Sequence, residues 1–305
     1  MKIAKILSTC FKRGRIRENT ELLGDPPGYF CHSQNFTTTK DTIDLLNFQI
    51  DMEEKYPPGL DRDLIVVNSD VGSEEGNNFI NNLKDRKIND GKLLSFTRKN
   101  VGLSYGAYSD AFLKFRNEYD FFLFIEDDLV TAKKDYLKIG MEKWQKTKNC
   151  GFVAFFGLSK VNKGWWKKAD LNETNSVSAF SGCGLSSSSV LGEIVNKNGY
   201  LPHNTKNINH EESIALGELG LSKSIINLGY TLTEVKKEIL VVPAYDLMRG
   251  IDYQKYPNIF LKYFWYFKSG IYSFVSKSNF LLRYYLLFLK YVKNLIKFFL
   301  KNDIK

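Results

Sequence analysis

Short, mostly apolar runs recur through the first half of the chain, and each closes on polar or acidic residues. Ile3 to Leu7, broken only by Lys5, runs into Ser8, Thr9 and Cys10. Leu64 to Val67 runs into Asn68, Ser69, Asp70 and Gly72, and Leu93 to Phe96 into Thr97, Arg98, Lys99, Asn100 and Gly102. Phe121 to Ile125 runs straight into Glu126, Asp127 and Asp128. Runs this short and this apolar suit strands buried on both faces, as in a parallel sheet. Between them, Thr38 to Tyr56 and Tyr105 to Tyr119 read as helices, the first amphipathic through Leu45, Leu46, Phe48 and Ile50. Alternating strand and helix predicts βαβ units: an α/β fold with a mostly parallel central sheet flanked by helices. Open sheets of this kind bind ligands beyond the carboxyl ends of their strands, where these polar endings lie.

The acidic triplet after Ile125 carries the most chemistry. Adjacent carboxylates repel, a cost most simply offset by a shared cation. Hard oxygen donors at a sheet crevice suit Mg²⁺ or Mn²⁺ holding a phosphate-bearing substrate. A solvated acidic turn is the plain alternative.

Three segments together resemble the nucleotide-sugar-binding half of the family 2 glycosyltransferases of GT-A fold. They are Val66-Val67-Asn68-Ser69-Asp70, Asn100-Val101-Gly102-Leu103-Ser104-Tyr105-Gly106-Ala107 and Phe124-Ile125-Glu126-Asp127-Asp128. Further on, Asn198-Gly199-Tyr200 is similar to the family's Gly-Gly-Phe turn, and Gly217-Glu218 through Gly229-Tyr230 to its acidic catalytic segment. The resemblance spans roughly residues 3 to 240. It implies that Asp128, assisted by Glu126, holds the metal bridging the donor diphosphate. Thr9, Asn68, Asp70, Asn100, Gly102, Glu126 and Asp127 would contact the nucleotide sugar. It also implies a late carboxylate as general base, Glu218 by alignment, with Glu211 and Glu212 beside His210 as the other candidates. Three departures stand out: Glu126 replaces the usual Asp, Gly217-Glu218 replaces the Glu-Asp pair, and strand one lacks the Pro-Thr-Tyr-Asn ending.

Composition narrows the setting. With 305 residues the chain can bury one full core and an appendage. Cys10, Cys31, Cys150 and Cys183 show no CxxC spacing and no paired histidines, so they read as reduced thiols rather than zinc ligands or a disulfide frame. The apolar stretch before Lys12 is too short for a signal peptide, which predicts a cytoplasmic protein. The Asn-x-Thr triplets at Asn35 and Asn172 are then chance matches.

Charge divides the chain. From Arg249 onward there are eleven Lys and Arg against Asp252 and Asp303, while the first 248 residues carry 32 charges of each sign. The division predicts a catalytic domain over 1–248, with a nucleotide-sugar-binding half (1–130) and an acceptor half (131–248), and a basic, aromatic helical tail over 249–305. Lysines interrupt the tail too often for a spanning helix, which needs about 20 apolar residues. Lys290, Lys293, Lys297 and Lys301 share one helical face, opposite Tyr291, Leu295, Phe298 and Phe299. That pattern fits a helix lying in an anionic membrane interface, peripheral on its cytoplasmic side. Packing on the domain, or a homo-oligomer contact, is the competing reading. Nucleic-acid binding is disfavoured because the runs are more apolar than phosphate tracking requires.

Two more segments bear on the acceptor side. Trp165-Trp166, in the basic loop Lys160 to Lys168, reads either as a platform for an acceptor sugar or as an anchor to the core. The small-residue run Phe180 to Ser189 reads as a loop forming a substrate wall. Together these features predict transfer of a sugar from a nucleotide-sugar donor to a glycan or lipid-linked acceptor hydroxyl, with inversion, in envelope or surface polysaccharide synthesis. A nucleotidyltransferase on a similar core is the alternative, disfavoured because Ser8 to Gly14 holds a single glycine. A noncatalytic membrane-associated scaffold is the third reading.

Overall fold

The computed structural model describes residues 1–11, 39–83, 86–89, 91–160, 177–179, 182–206, 215–235 and 238–248. Trp165, Trp166, Glu211, Glu212 and the basic tail lie outside the described residues, as does Cys31.

The buried runs form the strands that alternation predicts. Strands β1 (Ile3–Thr9), β2 (Asp63–Asp70), β3 (Leu93–Lys99) and β4 (Phe121–Glu126) lie parallel, with β1 between β2 and β4. The residues Asn68 to Asp70, expected to turn, continue β2 because β3 pairs with them through Thr97, Arg98 and Lys99. Helix α1 (Thr39–Lys55) follows β1, α2 (Glu74–Asn82) follows β2, and α3 (Leu103–Phe115) follows β3. Beyond β4 come β5 (Leu129–Thr131), α4 (Tyr136–Lys146), β6 (Cys150–Ala154), and the short pair β7 (Leu158–Lys160) and β8 (Val177–Ala179). Then follow β9 (Gly184–Ser187), α5 (Ser188–Asn198), a π-turn (Ala215–Leu219) running into α6 (Gly220–Asn227), β10 (Thr231–Glu234), β11 (Val241–Pro243) and α7 (Ala244–Met248).

Seven strands make the central sheet in the order β10-β6-β9-β4-β1-β2-β3, with β9 antiparallel to both of its neighbours. The period-2 alternation of strand side chains fills both faces. Leu7, Leu64, Val66, Leu123 and Ile125 pack with Leu46 and Ile50 of α1, Ile80 of α2, and Leu137 and Met141 of α4. Ile6, Ile65, Val67, Phe122 and Phe124 pack with Tyr108 and Phe112 of α3, Leu191 and Ile194 of α5, and Ile225 of α6. Each such side chain contributes about 1.5–3 kcal/mol by leaving water. Helix-covered faces on both sides are what a parallel sheet requires, and they explain the mostly apolar runs.

The small-residue run is a strand, not a loop wall. Gly184 to Ser187 pairs with β4 on one side and β6 on the other, which satisfies its backbone inside the core. Small side chains are needed there. A Cβ on Gly184 would lie 2.3 Å from both the Phe152 ring and the Val153 carbonyl oxygen. Ser186 is buried and donates to the Gly151 carbonyl oxygen at 2.7 Å.

A buried ionic network, hidden from the apolar pattern, ties α1 to the sheet. Lys5 of β1 is 1% exposed, and its Nζ lies 2.5 Å from Glu53 Oε1 of α1. Arg62 reaches Glu53 Oε2 through Nε at 3.0 Å and Nη2 at 2.7 Å. Tyr136 and Thr131 hydroxyls donate to the same carboxylate at 2.8 and 3.0 Å. Burial works against the Glu53 charge, but Lys5 and Arg62 outweigh it and hold the carboxyl down at about 2. Burial pulls the Lys5 amine below its ordinary value.

Candidate active site at the carboxyl edge of the sheet

Strand register sets the site. Ser8 lies beside Glu126, Thr9 beside Asn68, and Asn68 beside Thr97, so the endings of four parallel strands share one edge. All but one of the sequence-predicted residues that fall within the described segments stand on or beside this edge. Glu218 reaches it from the π-turn.

The acidic turn is clamped by its main chain. Gln49 Nε2 of α1 donates to the Asp127 carbonyl oxygen at 2.9 Å and also to that of Leu129. The Ala244 N–H of α7 donates to the Asp128 carbonyl oxygen at 2.8 Å. Antiparallel pairing of β5 with β11 closes the loop behind it. The three carboxylates diverge. Asp127 is buried and accepts from Thr9 Oγ1 at 2.7 Å, so Thr9 and Asp127 engage each other. Glu126 and Asp128 are partly buried. Burial, the Asp128 charge, and those of Asp127 and Glu218 push the Glu126 carboxyl up to about 8, against a hydrogen bond from Ser104 Oγ at 2.5 Å.

Gly217 packs against the Tyr105 ring, and Ser104 beside Tyr105 donates to Glu126, so Glu218 flanks the same end of α3 although it arrives from a π-turn far along the chain. Such turns often mark functional positions within helices. Ser178 Oγ of β8 donates to Glu218 Oε1 at 3.0 Å and lies 3.4 Å from Ser222 Oγ of α6. Tyr105 of α3 is 4% exposed. Its ring fits because Gly217 and Gly182 carry no side chain, since a Cβ on either would lie 2.2 or 2.7 Å from the ring. Ser104, Tyr105, Ser178 and Gln49 are the site residues that sequence reading missed. Ser104 and Tyr105 had a signal, being part of the Asn100 to Ala107 segment. Ser178 and Gln49 had none, because only the tertiary fold brings them to the acids.

The other expected contacts form a polar rim. Asn68 is buried and donates to Asn77 Oδ1 at 2.8 Å, and its own Oδ1 has no hydrogen-bond partner among the described residues. Asn100 Oδ1 is likewise enclosed without a partner among them. Asp70 is exposed and accepts from the Gly72 N–H at 2.9 Å and from Asn77 Nδ2 at 3.2 Å, bonds that hold its carboxyl below the ordinary range. Gly102, with φ 73°, begins α3 in the left-handed region. The space a side chain would take there is filled by His203 and Asn204, at 2.5 Å from the ring and 2.9 Å from the carbonyl oxygen. Beside this rim, a groove of about 490 Å³ runs between α5 and α6, lined by Lys197, Asn198, Tyr200, His203, Lys223 and Asn227 among others. Its lining holds no acid, which suits neutral or anionic groups.

Among the described residues, no group of three or more His, Cys, Asp or Glu is assembled to hold a metal ion. With Asp127 turned inward, Glu126 and Asp128 remain as oxygen donors. Two carboxylates fit Mg²⁺ or Mn²⁺ only as a partial set, the kind that substrate phosphates complete.

The fold and the site define an α/β protein of Rossmann-like architecture, with acids gathered at the carboxyl edge of a mostly parallel sheet. No family model matches the chain, and no curated protein matches it. Among solved structures, it is similar to one titled a putative glucose-1-phosphate thymidylyltransferase from Bacillus anthracis in complex with a sucrose. The two are 13% identical, the match covers 81% of this chain and 93% of the other, and the TM-score is 0.41. No described helix is long and apolar enough to cross a membrane.

Proposed function

We propose that the chain transfers a sugar from a nucleotide-sugar donor to a hydroxyl of a glycan or lipid-linked acceptor. One observation carries this reading: Gly217, beside Glu218, packs on the Tyr105 ring of α3, whose neighbour Ser104 donates to Glu126, so a late carboxylate and the acidic turn flank the start of one helix. In this reading Glu218, held by Ser178, takes the proton from the acceptor hydroxyl. The acceptor oxygen then bonds to the anomeric carbon as the bond to the diphosphate breaks, with inversion. The enclosed acceptors Asn68 Oδ1 and Asn100 Oδ1 suit N–H donors of a nucleobase, which supports a nucleotide on the β2–β3 side. A divalent cation on Asp128 and Glu126 would supply neutralisation of the departing diphosphate.

A panel of UDP-, GDP- and dTDP-sugars with Mn²⁺ tests the reading, and slow donor hydrolysis to a nucleoside diphosphate is expected. Release of pyrophosphate from a nucleoside triphosphate and a sugar phosphate would instead establish nucleotidyl transfer on the same core. Binding of no nucleotide would leave the scaffold reading.

Glu218→Gln should lower turnover by roughly 10²–10⁴-fold, the usual worth of a general base, while donor affinity is retained. Full activity in that variant would move the base to Glu211 or Glu212. For the tail, truncation before Tyr263 should release the protein from anionic vesicles in a sedimentation assay, because the lysine-rich face goes with it. Undiminished binding would remove the membrane reading in favour of packing or oligomer contact.

A further inference from the structure

The groove between α5 and α6 has no part in the chemistry proposed for the acids. Its volume, about 490 Å³, lies within the roughly 300–1,000 Å³ of small-molecule clefts. Cations stand on both walls, Lys197 from α5 and Lys223 from α6, and neither pairs with an acid among the described residues. The two helices carry one acid between them, Glu193, which accepts from Tyr230 Oη at 2.6 Å and is not part of the lining. Asn198 and Asn227 also line the groove, and their amides make no hydrogen bond among the described residues. The Tyr200 ring is 39% exposed and meets the His203 ring edge-on at 5.1 Å between centroids. That wall is anchored to α3. His203 Nδ1 donates to the Leu201 carbonyl oxygen at 2.7 Å, the Leu201 N–H donates to Ser109 Oγ at 3.1 Å, and the His203 side chain fills the space over Gly102. Leu216, also in the lining, precedes Gly217, which packs on the Tyr105 ring. The groove therefore adjoins the first turn of α3, whose Ser104 holds Glu126.

We propose that this groove holds an acidic saccharide: a glycan acceptor bearing carboxylates, whose chain runs from the reacting hydroxyl along α5 and α6. The lining matches each kind of surface that such a ligand presents. Ring hydroxyls both donate and accept, as do the amides of Asn198 and Asn227. The C–H faces of a sugar pack on the exposed Tyr200 ring and on the aliphatic side chains of Ile194 and Leu228. Carboxylates meet Lys197 and Lys223 with no acid in the lining to repel them. A bare phosphate calls for N–H donors converging on one point, whereas these cations and amides are spread over two helices. An extended acidic peptide pairs its backbone with a sheet edge, and two helices offer none.

This inference rests on the sugar-transfer reading, and binding measured without donor separates the two. Titration calorimetry of the full chain with oligogalacturonate and with sialic acid oligomers should show binding of at least one. The methyl ester of that oligomer, which keeps the sugar and loses the charge, should bind more weakly. Joint Lys197→Gln and Lys223→Gln substitution should weaken the acid oligomer roughly 3- to 30-fold, the worth of two solvent-facing ion pairs, at an unchanged melting temperature. Tyr200→Ala should weaken acid and ester alike. Added salt should lower the affinity of the wild type for the acid and leave that of the double variant nearly flat. Binding of neither oligomer, equal affinity for acid and ester, or undiminished affinity in either variant would overturn the inference. So would a glutamate tripeptide or inorganic phosphate that binds as tightly as the oligomers. Lysine-dependent binding of the acid in a protein that turns over no donor upholds the groove and removes the sugar-transfer reading. Donor turnover with no preference for the acid removes the inference and leaves that reading standing.

Discussion

Asp128→Asn should abolish metal-dependent donor turnover, a loss of roughly 10²–10³-fold or more, while the protein stays folded. The substitution keeps shape and removes charge. Anchoring of the turn does not depend on that charge, since Gln49 holds the Asp127 carbonyl and Ala244 holds the Asp128 carbonyl. Asp127 cannot substitute, being buried against Thr9. Glu126 alone would be left, and losing the Asp128 charge would bring its carboxyl back toward the ordinary range. Initial rates across a Mn²⁺ titration, with a thermal melt beside them, check the prediction. A folded variant with full activity would remove the metal assignment.

Glu53→Gln should have the largest effect on stability. The Glu53 carboxylate accepts from Lys5, Arg62, Tyr136 and Thr131, so its two oxygens face only donors. An amide turns an N–H₂ toward one set of those donors and leaves Lys5 and Arg62 buried without a counter-charge. Breaking a buried ion pair from one side costs about 3–5 kcal/mol. At about 2–4 °C per kcal/mol for a domain of this size, the melting temperature should drop by roughly 6–20 °C. The same carboxylate shapes the acid limb of the wild-type stability curve. Its folded value, about 2, lies below the ordinary 4.5. The stabilisation is therefore complete above the unfolded value and is lost as pH falls from there toward 2. Urea midpoints between pH 7 and pH 2 should fall more steeply for wild type than for Glu53→Gln. Parallel curves would show that the network does not govern acid stability.

Legibility followed burial symmetry. The strands β1, β2 and β4 could be read because helices cover both faces of the sheet, so their runs are almost wholly apolar, with Lys5 of β1 the exception. Where a polar residue is buried, the pattern misleads. Glu53 looks like any acid on an amphipathic helix, and Lys5 like an interruption of a strand. Gly184 to Ser187 looks like a loop because its sequence lacks bulk, yet it lacks bulk because Phe152 and the Val153 carbonyl leave no room. The acidic turn was legible as a feature, but its division of labour was not: only the fold turns Asp127 toward Thr9 and leaves Glu126 and Asp128 at the edge.

By itself, the sequence determined the α/β alternation and the acids ending a central strand, because these rest on local order and hydrophobic period, while the candidacy of Glu218 came from the resemblance of its segment to a known family. Tertiary structure alone decided that Gly217 beside Glu218 packs on the Tyr105 ring next to Ser104, the donor to Glu126, and that Lys5, Glu53 and Arg62 form one buried network. Those are meetings of residues distant in the chain, set by strand register and helix packing, and no local pattern encodes them.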